Sequence, residues 1–344
     1  MGGGGEEAGA LLHEGDCVDD RWMVEKVLGK GGFGAVYEVF DKNLKKYEAM
    51  KIELNAQDFR TLKLEVVVLK ELNGRQARHV CQLFGIGKKT SYCFIVMTLV
   101  GPSFNSMLES LRPKFPDGRT RFTLRSCLHL AQKSLESLQD LHLAGYLHRD
   151  IKPQNFATGR PPDYRDVFCL DFGMCRKYVK EDGKLRRPRE KVGFRGTLYY
   201  ASVDVLKGEE QARKDDLWSW YFMLVRMTVG QVPWRTFCPP RNASVAKQAA
   251  AFGQAKSKAL ASITSFCEGC PAEFIMIGEH LNILTYYDEP NYELCYNQLN
   301  AIMQRKNYQE WFPLDWEQEG EYHAETVAAP MHDMMPNEKN DGGD

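Results

Sequence analysis

Apolar and polar positions alternate with a period of two in five short stretches near the start of the chain, residues 22–28, 35–41, 47–54, 80–86 and 92–99. These stretches are rich in Val, Ile, Tyr and Phe, which suit a half-buried pleated surface. Between the third and fourth, residues 58–73 change to a helical pattern. Beyond "GPSF" the texture becomes helical. Leu124, Leu128, Ala131, Leu135, Leu138 and Leu141 recur every three or four residues, one buried stripe on a long amphipathic helix. Residues 216–229 are apolar on nearly every side, the mark of a helix at the centre of a lobe. Helical spacing also fits 271–286 and 291–305. The pattern predicts an α+β protein of two lobes. Residues 18–99 form an antiparallel β-rich lobe with one main helix, and residues 100–315 form a mainly helical one. Residues 1–17, glycine-rich and polar, are expected to be loose, and the acidic stretch 316–344 to be a disordered, solvated tail.

Composition changes this picture little. In 344 residues, 45 basic side chains nearly balance 46 acidic ones, so no overall field draws nucleic acid or anionic lipid. Ten cysteines lie in apolar settings such as "HVCQLF" and "DVFCLDF", which suits reduced, buried thiols better than a disulfide framework. Cys267 and Cys270 make one C-x-x-C with no second pair at zinc-ribbon spacing. "MGGGGEE" matches neither a secretory signal nor, with Glu6 at position six, a myristoylation site. The most apolar helix, "LWSWYFMLVRMTVG", is too short to span a bilayer and contains Arg226. A monomer in the cytoplasm, with no membrane partner, is the expectation.

Candidate chemistry begins at "LGKGGFGAVYEV". Gly29, Gly31 and Gly34 are followed by a strand-like run including Val36, not by the helix of a dinucleotide turn or the Gly-Lys-Ser/Thr of a Walker loop. A glycine turn joining two antiparallel strands remains, either a flap over nucleotide phosphates or an ordinary hairpin. In "YEAMKIEL", Lys51 sits in an apolar strand. It is an edge lysine facing solvent unless it holds an anion and has a carboxylate to orient it. Glu65 interrupts the apolar face of the following helix, where a carboxylate is costly unless paired. "YLHRDIKPQNF" packs His148, Arg149, Asp150, Lys152 and Asn155 into eight residues with apolar flanks. That spacing serves phosphoryl transfer: Asp150 can take the proton of an attacking hydroxyl while Asn155 offers an oxygen to a metal ion. "FCLDFGM" then places Asp171 after an apolar strand. With Asn155 it suffices for Mg²⁺, which takes one or two carboxylates plus phosphate and water oxygens.

These motifs, in this order, resemble the eukaryotic protein kinases over about residues 20–312. The resemblance implies the two-lobed kinase fold with ATP and Mg²⁺ in the cleft. It assigns Lys51 to the α/β-phosphates with Glu65 as its partner, Asp150 as base, Lys152 near the transferred phosphate, and Asn155 and Asp171 as metal ligands. It puts Gly29, Gly31, Gly34, Val36 and Ala49 around the nucleotide. Lysine two places after the base resembles the serine/threonine kinases, with protein substrates. "VMTLVGPSF" is similar to the hinge of the casein kinase 1 group, making Met97 the gatekeeper and placing hinge bonds on the backbone of Thr98 and Val100. "LHRDIKPQNFATGRPP", "GFRGTLYYAS" and "DDLWSWYFMLVRMTVGQVPWR" look most like the tau-tubulin kinase branch, which implies cytoskeletal substrates.

Two departures qualify this. As in that group, Ala-Pro-Glu is missing and "YASVD" stands in its place; and Tyr199 occupies a position where the group has an arginine that helps bind acidic or phosphorylated substrates. The run "KLRRPREK" (184–191) can supply other cations or be only solvated, and the acidic tail can compete for them. Between Asp171 and Gly196 there is no Ser or Thr, only Tyr178. An enzyme active as synthesised is expected, with Thr197 bonding near Asp150 and Lys152. A pseudokinase scaffold is the alternative.

Overall fold

The computed structural model describes residues 12–31, 34–54, 60–237 and 242–327. Its first lobe is a six-stranded antiparallel sheet of β1 (Cys17–Val18), β2 (Trp22–Gly31), β3 (Gly34–Asp41), β4 (Lys46–Leu54), β5 (Leu83–Lys88) and β6 (Tyr92–Thr98), in the order β1-β2-β3-β4-β6-β5. Helix α1 (Arg60–Gly74) lies between β4 and β5. Period-two patterning gives the sheet two distinct faces. Trp22, Val24, Tyr37, Met50, Ile52 and Phe94 cluster on one of them, covered by Leu12. Val36, Ala49, Ile95 and Met97 join the large core that continues into the second lobe. The predicted strands are therefore all present within a few residues. The exception is the start of the fourth, where Val80 makes only an isolated bridge to Cys169 before β5 begins. Gly34 is demanded by the pairing itself: a Cβ there would stand 1.9 Å from the Ile52 carbonyl oxygen.

The second lobe carries α2 (Phe104–Ser110), α3 (Leu124–Leu143), strands β7 (Tyr146–Leu147), β8 (Phe156–Thr158), β9 (Val167–Cys169) and β10 (Arg176–Lys177), then α4 (Val203–Leu206), α5 (Arg213–Val229), α6 (Val245–Ala259), α7 (Ile263–Phe266), α8 (Glu273–Asn282), α9 (Tyr292–Arg305) and α10 (His323–Thr326). Helix α5 is the axle. Its residues from Lys214 to Val225 are all buried, and Trp220 Nε1 donates to Ser134 Oγ of α3 at 3.0 Å. Helix α6 has no counterpart in the sequence reading, because its alanine-rich repeat presents only a weak apolar stripe. Of the ten cysteines, the nine described are free thiols, six of them buried; Cys238 lies outside the described residues. No helix among the described residues is long and apolar enough to cross a membrane.

Both expected tails differ from the structure where they are described. Leu12 is buried and Cys17 begins a strand, so residues 12–17 do not belong as a whole to the expected loose segment; residues 1–11 lie outside the described set. The stretch after residue 315 is a packed strap as far as Val327, and residues 328–344 lie outside the described set. Trp316 is 5% exposed, packs edge-on to Phe122 and donates its indole N–H to the Tyr164 carbonyl at 2.8 Å. Arg165 grips Glu317 through two nitrogens at 2.6 and 2.7 Å, and Lys114 pairs with Glu325 at 2.9 Å. Composition misled here because the strap's one indole is inserted into the lobe while two of its acids, Glu317 and Glu325, meet basic partners. Removing such an indole leaves a cavity, so Trp316→Ala is expected to cost about 3–5 kcal/mol. Guanidinium denaturation of the two proteins measures it.

Candidate active site

The sheet delivers Lys51 to the cleft by register. In β4 it alternates with Met50 and Ile52, which face the other way into the outer cluster, and it lies opposite Val36 of β3. Helix α1 brings Glu65 under it. Lys51 Nζ stands 2.8 Å from Glu65 Oε2 and 3.3 Å from Asp171 Oδ1, with only 11% of the lysine side chain and 2% of the glutamate exposed. Burial alone favours the neutral amine, but the charges of Asp171 and Glu65 outweigh it and raise the Lys51 pKa. At Glu65 burial wins and raises the carboxyl, with Lys51 opposing. Burial pushes Asp171 the same way, but Lys51, His148 and Lys152 together hold it below its ordinary value. The edge-lysine alternative is excluded by this geometry.

The segment from Tyr146 to Phe156 is held from below by Asp216, near the start of α5. Asp216 accepts from the backbone N–H of His148 at 2.7 Å and of Arg149 at 2.8 Å, and contacts His142 Nε2 at 3.0 Å. Arg149 has φ = 72°, an uncommon conformation for a side-chain-bearing residue. Its Nε donates to the Met174 carbonyl at 2.7 Å, joining this segment to the one that follows Asp171. His148 Nε2 meets the Leu170 carbonyl at 3.0 Å and its ring packs on Phe172, which is buried against α1.

Asp150 is thereby presented with both oxygens engaged. Thr197 Oγ1 donates to Oδ1 at 2.7 Å, Lys152 Nζ lies 2.8 Å from Oδ2 and 3.2 Å from Thr197 Oγ1. The expected bonding of Thr197 is present. Gly196 precedes it at φ = 103°, and a Cβ there would stand 2.5 Å from the Arg149 carbonyl oxygen, so a glycine is needed for the two segments to meet. Asn155 donates Nδ2 to the Asp150 carbonyl at 2.7 Å. That bond spends the amide's donor side and leaves Oδ1 for a cation.

The residues present fit a magnesium–nucleotide. Asn155 Oδ1 and the Asp171 carboxylate are oxygen ligands too few to enclose a cation alone, which is how Mg²⁺ is held when phosphate and water complete its shell. Among the described residues no group of three or more His, Cys, Asp or Glu forms a closed metal cage, at Cys267 and Cys270 or elsewhere. Val36, Ala49, Met97 and Val100 are each at most 3% exposed and share one apolar cluster. The Val100 N–H has no acceptor among the described residues, as a hinge donor should. The Thr98 N–H is spent on the Gln82 carbonyl at 3.0 Å, so any ligand bond from Thr98 comes from its carbonyl. Gly29 pairs with Val36 and Gly31 with Gly34; the two turn residues between Gly31 and Gly34 lie outside the described set.

A model of the protein kinase domain matches residues 22–268. The chain belongs to the protein kinase family. A probable serine/threonine-protein kinase of Dictyostelium discoideum is 36% identical over 306 residues, 88% of this chain but 58% of that protein. A putative serine/threonine-protein kinase of Caenorhabditis elegans is 34% identical over 92% of this chain and 86% of its own. A probable casein kinase I homolog of Encephalitozoon cuniculi is 31% identical over 84% and 86% respectively. The kinase thus sits among serine/threonine enzymes, and its chain spans little more than half the length of the Dictyostelium relative.

Reading residues alone assigned no role to Asp216 or His142. A carboxylate opening an otherwise apolar helix was the available signal, since such a group needs several donors to be tolerated. In this kinase the buried Lys51–Glu65 pair is the weak point of the site. Lys51→Met leaves a buried carboxylate unpaired and is expected to cost about 3–5 kcal/mol at neutral pH. Without its cation Glu65 binds a proton more tightly in the folded than in the unfolded state. The variant should therefore recover stability relative to wild type as pH falls from about 8 to about 5, as buried carboxyls do. Denaturant titrations at the two pH values check the sign.

Proposed function

We propose that this serine/threonine kinase is catalytically competent as synthesised, transferring the ATP γ-phosphoryl group to Ser or Thr hydroxyls of protein substrates without prior phosphorylation of residues 172–195. The observation that carries this is the completed constellation around Asp150. Lys152 and Thr197 orient its carboxylate, Asn155 is fixed by its backbone, and Lys51 is already paired with Glu65. Mg²⁺–ATP, when bound, supplies the electrophilic phosphorus and the charge neutralisation. Asp150 accepts the proton of the attacking hydroxyl, Lys152 stabilises charge on the transferred group, Lys51 holds the non-transferred phosphates, and Asn155 and Asp171 orient the metal.

Independence from loop phosphorylation is supported by what already holds the loop. Buried Glu210 pairs with Arg189 at 2.5 Å and Arg176 at 3.6 Å, a carboxylate making with arginine the kind of pairing an added phosphate makes where a loop is ordered by phosphorylation. Tyr178, the loop's lone hydroxyl amino acid, is buried and donates to the His142 carbonyl at 2.7 Å, so it is a structural tie rather than an acceptor. Arg189 of the 184–191 run is thus committed to Glu210. Glu317 and Glu325 engage Arg165 and Lys114 instead of that run; the rest of the acidic segment lies outside the described residues.

Within the family, membership of the casein kinase 1 group and its tau-tubulin branch is our reading. It is supported by the hinge and "GFRGTLYYAS" segments and by the casein kinase I homolog among the relatives. A monomer in the cytoplasm, acting on cytoskeletal proteins, follows from the same reading and from the free thiols. Imaging of the tagged chain and light scattering of the purified one check place and state.

The decisive assay is a Ser/Thr peptide array with Mg-ATP, run beside Asp150→Asn. Loss of the base should lower the rate about 10²–10⁴-fold, or about 3–5 kcal/mol, with ATP affinity retained. Wild-type protein that binds ATP yet phosphorylates nothing would make it a pseudokinase scaffold. Loss of activity after Ser/Thr phosphatase treatment would remove the claim of phosphorylation independence.

A further inference from the structure

Lys256 is a fully buried lysine with no carboxylate beside it among the described residues. It projects from α6, is 0% exposed, and donates from Nζ to the carbonyls of Leu198 at 3.0 Å and Ala201 at 2.5 Å. Its Nζ also lies 5.0 Å from the Phe222 ring centre and 4.8 Å from that of Trp234. Burying an amine this way is expensive, and a methionine would fill the same volume without the cost. The two carbonyls and two ring faces are what offset it. Burial pushes its pKa well below the ordinary lysine value. Either protonation form still carries the two N–H donors that the two carbonyls require.

What those carbonyls belong to gives the lysine its meaning. Trp234 Nε1 donates to the Tyr199 carbonyl at 3.0 Å, so the carbonyls of Leu198, Tyr199 and Ala201 are all held from the side of α6 and the loop that precedes it. On the other side, the Tyr200 and Ala201 N–H groups donate to the Thr197 carbonyl at 3.1 and 3.0 Å. Thr197 in turn donates to Asp150 at 2.7 Å. An unbroken chain of bonds therefore runs from Lys256 through residues 197–201 to the catalytic carboxylate. The same segment lacks the Ala-Pro-Glu that follows it in other kinases, with Ser202 bonded to Asp215 instead at 2.6 Å.

We propose that Lys256, assisted by Trp234, is a positioning residue that fixes segment 197–201 as the platform on which the acceptor peptide is aligned with Asp150. The proposal rests on the kinase reading above. It differs from a packing role in one respect: the loss should fall on the peptide and not on ATP.

The test is Lys256→Met, which keeps the alkyl bulk and removes the donors. The peptide kcat/KM should fall about 10- to 100-fold, the scale of a small misplacement of the acceptor. Most of the change should appear in peptide KM, with the KM for Mg-ATP within about twofold of wild type. Amide hydrogen exchange across residues 197–201 should accelerate at least about tenfold while α3 and α5 stay protected. A peptide kcat/KM within about twofold of wild type, or equal losses toward peptide and ATP, would overturn the proposal. Should Lys256→Met fail to fold, Trp234→Phe removes one donor and keeps a ring; it should raise peptide KM about 3- to 10-fold, and an unchanged KM would refute the platform. If the wild type phosphorylates no peptide, the kinase reading fails first; exchange that is no faster in the variants then refutes the lock on its own.

Discussion

A buried carboxylate is an unfavourable thing to put in a protein, and the second lobe is organised around making one tolerable. Burial pushes the pKa of Asp216 up, yet the hydrogen bond and charge of His142, with His148 and the Arg149 N–H, outweigh it and keep the group ionised. The carboxylate obtains those donors only if residues 146–150 run across the start of α5 with Arg149 at positive φ. Such a backbone costs about 1–3 kcal/mol where nothing enforces it. Asp216 enforces it, and Asp150 emerges at the mouth of the cleft as a consequence. The same geometry turns His148 toward Leu170 and Phe172, so that Asp150 and Asp171 are placed by one set of contacts.

The first lobe meets this arrangement through charge as well as through the shared apolar core. Lys51 comes from a strand, Glu65 from a helix and Asp171 from a turn of the other lobe, and each is buried enough that none is comfortable alone. Together they hold helix, sheet and turn in mutual register. The loop that follows Asp171 is tied by the same means. Glu210 with two arginines, Tyr178 with a carbonyl and Thr197 with Asp150 hold its two ends against the lobe.

Much of this was readable in the residues. Period-two runs marked the strands because each has one face in the core, and the leucine stripe marked α3 for the matching reason. The cleft residues were readable because Lys51, Glu65, Asp150, Asn155 and Asp171 stand in motifs whose spacing and order resemble the protein kinases, with Glu65 and the 148–155 cluster also conspicuous as polar groups between apolar ones. Where sequence reading failed, the information was not local. The 316–327 strap looked solvated because its acids dominate its composition, while the Arg165, Lys114 and Phe122 sites that receive it lie far back in the chain. Helix α6 was missed because alanine carries little periodic signal, and Lys256 gave no sign of burial because its partners are backbone carbonyls.

The sequence by itself determined which residues are the candidates for the chemistry and the order in which they occur, since charge, spacing and periodicity are properties of the chain. It also determined that residues 172–195 contain no Ser or Thr to phosphorylate. Only the tertiary structure decided which of the buried polar groups pay off one another's desolvation: Asp216 against two backbone amides, Lys256 against two carbonyls, Glu210 against two arginines. Those partnerships join elements tens of residues apart, and the energy of a buried polar group depends on what surrounds it in space. No local pattern encodes that surrounding, so the chain had to be folded for it to exist.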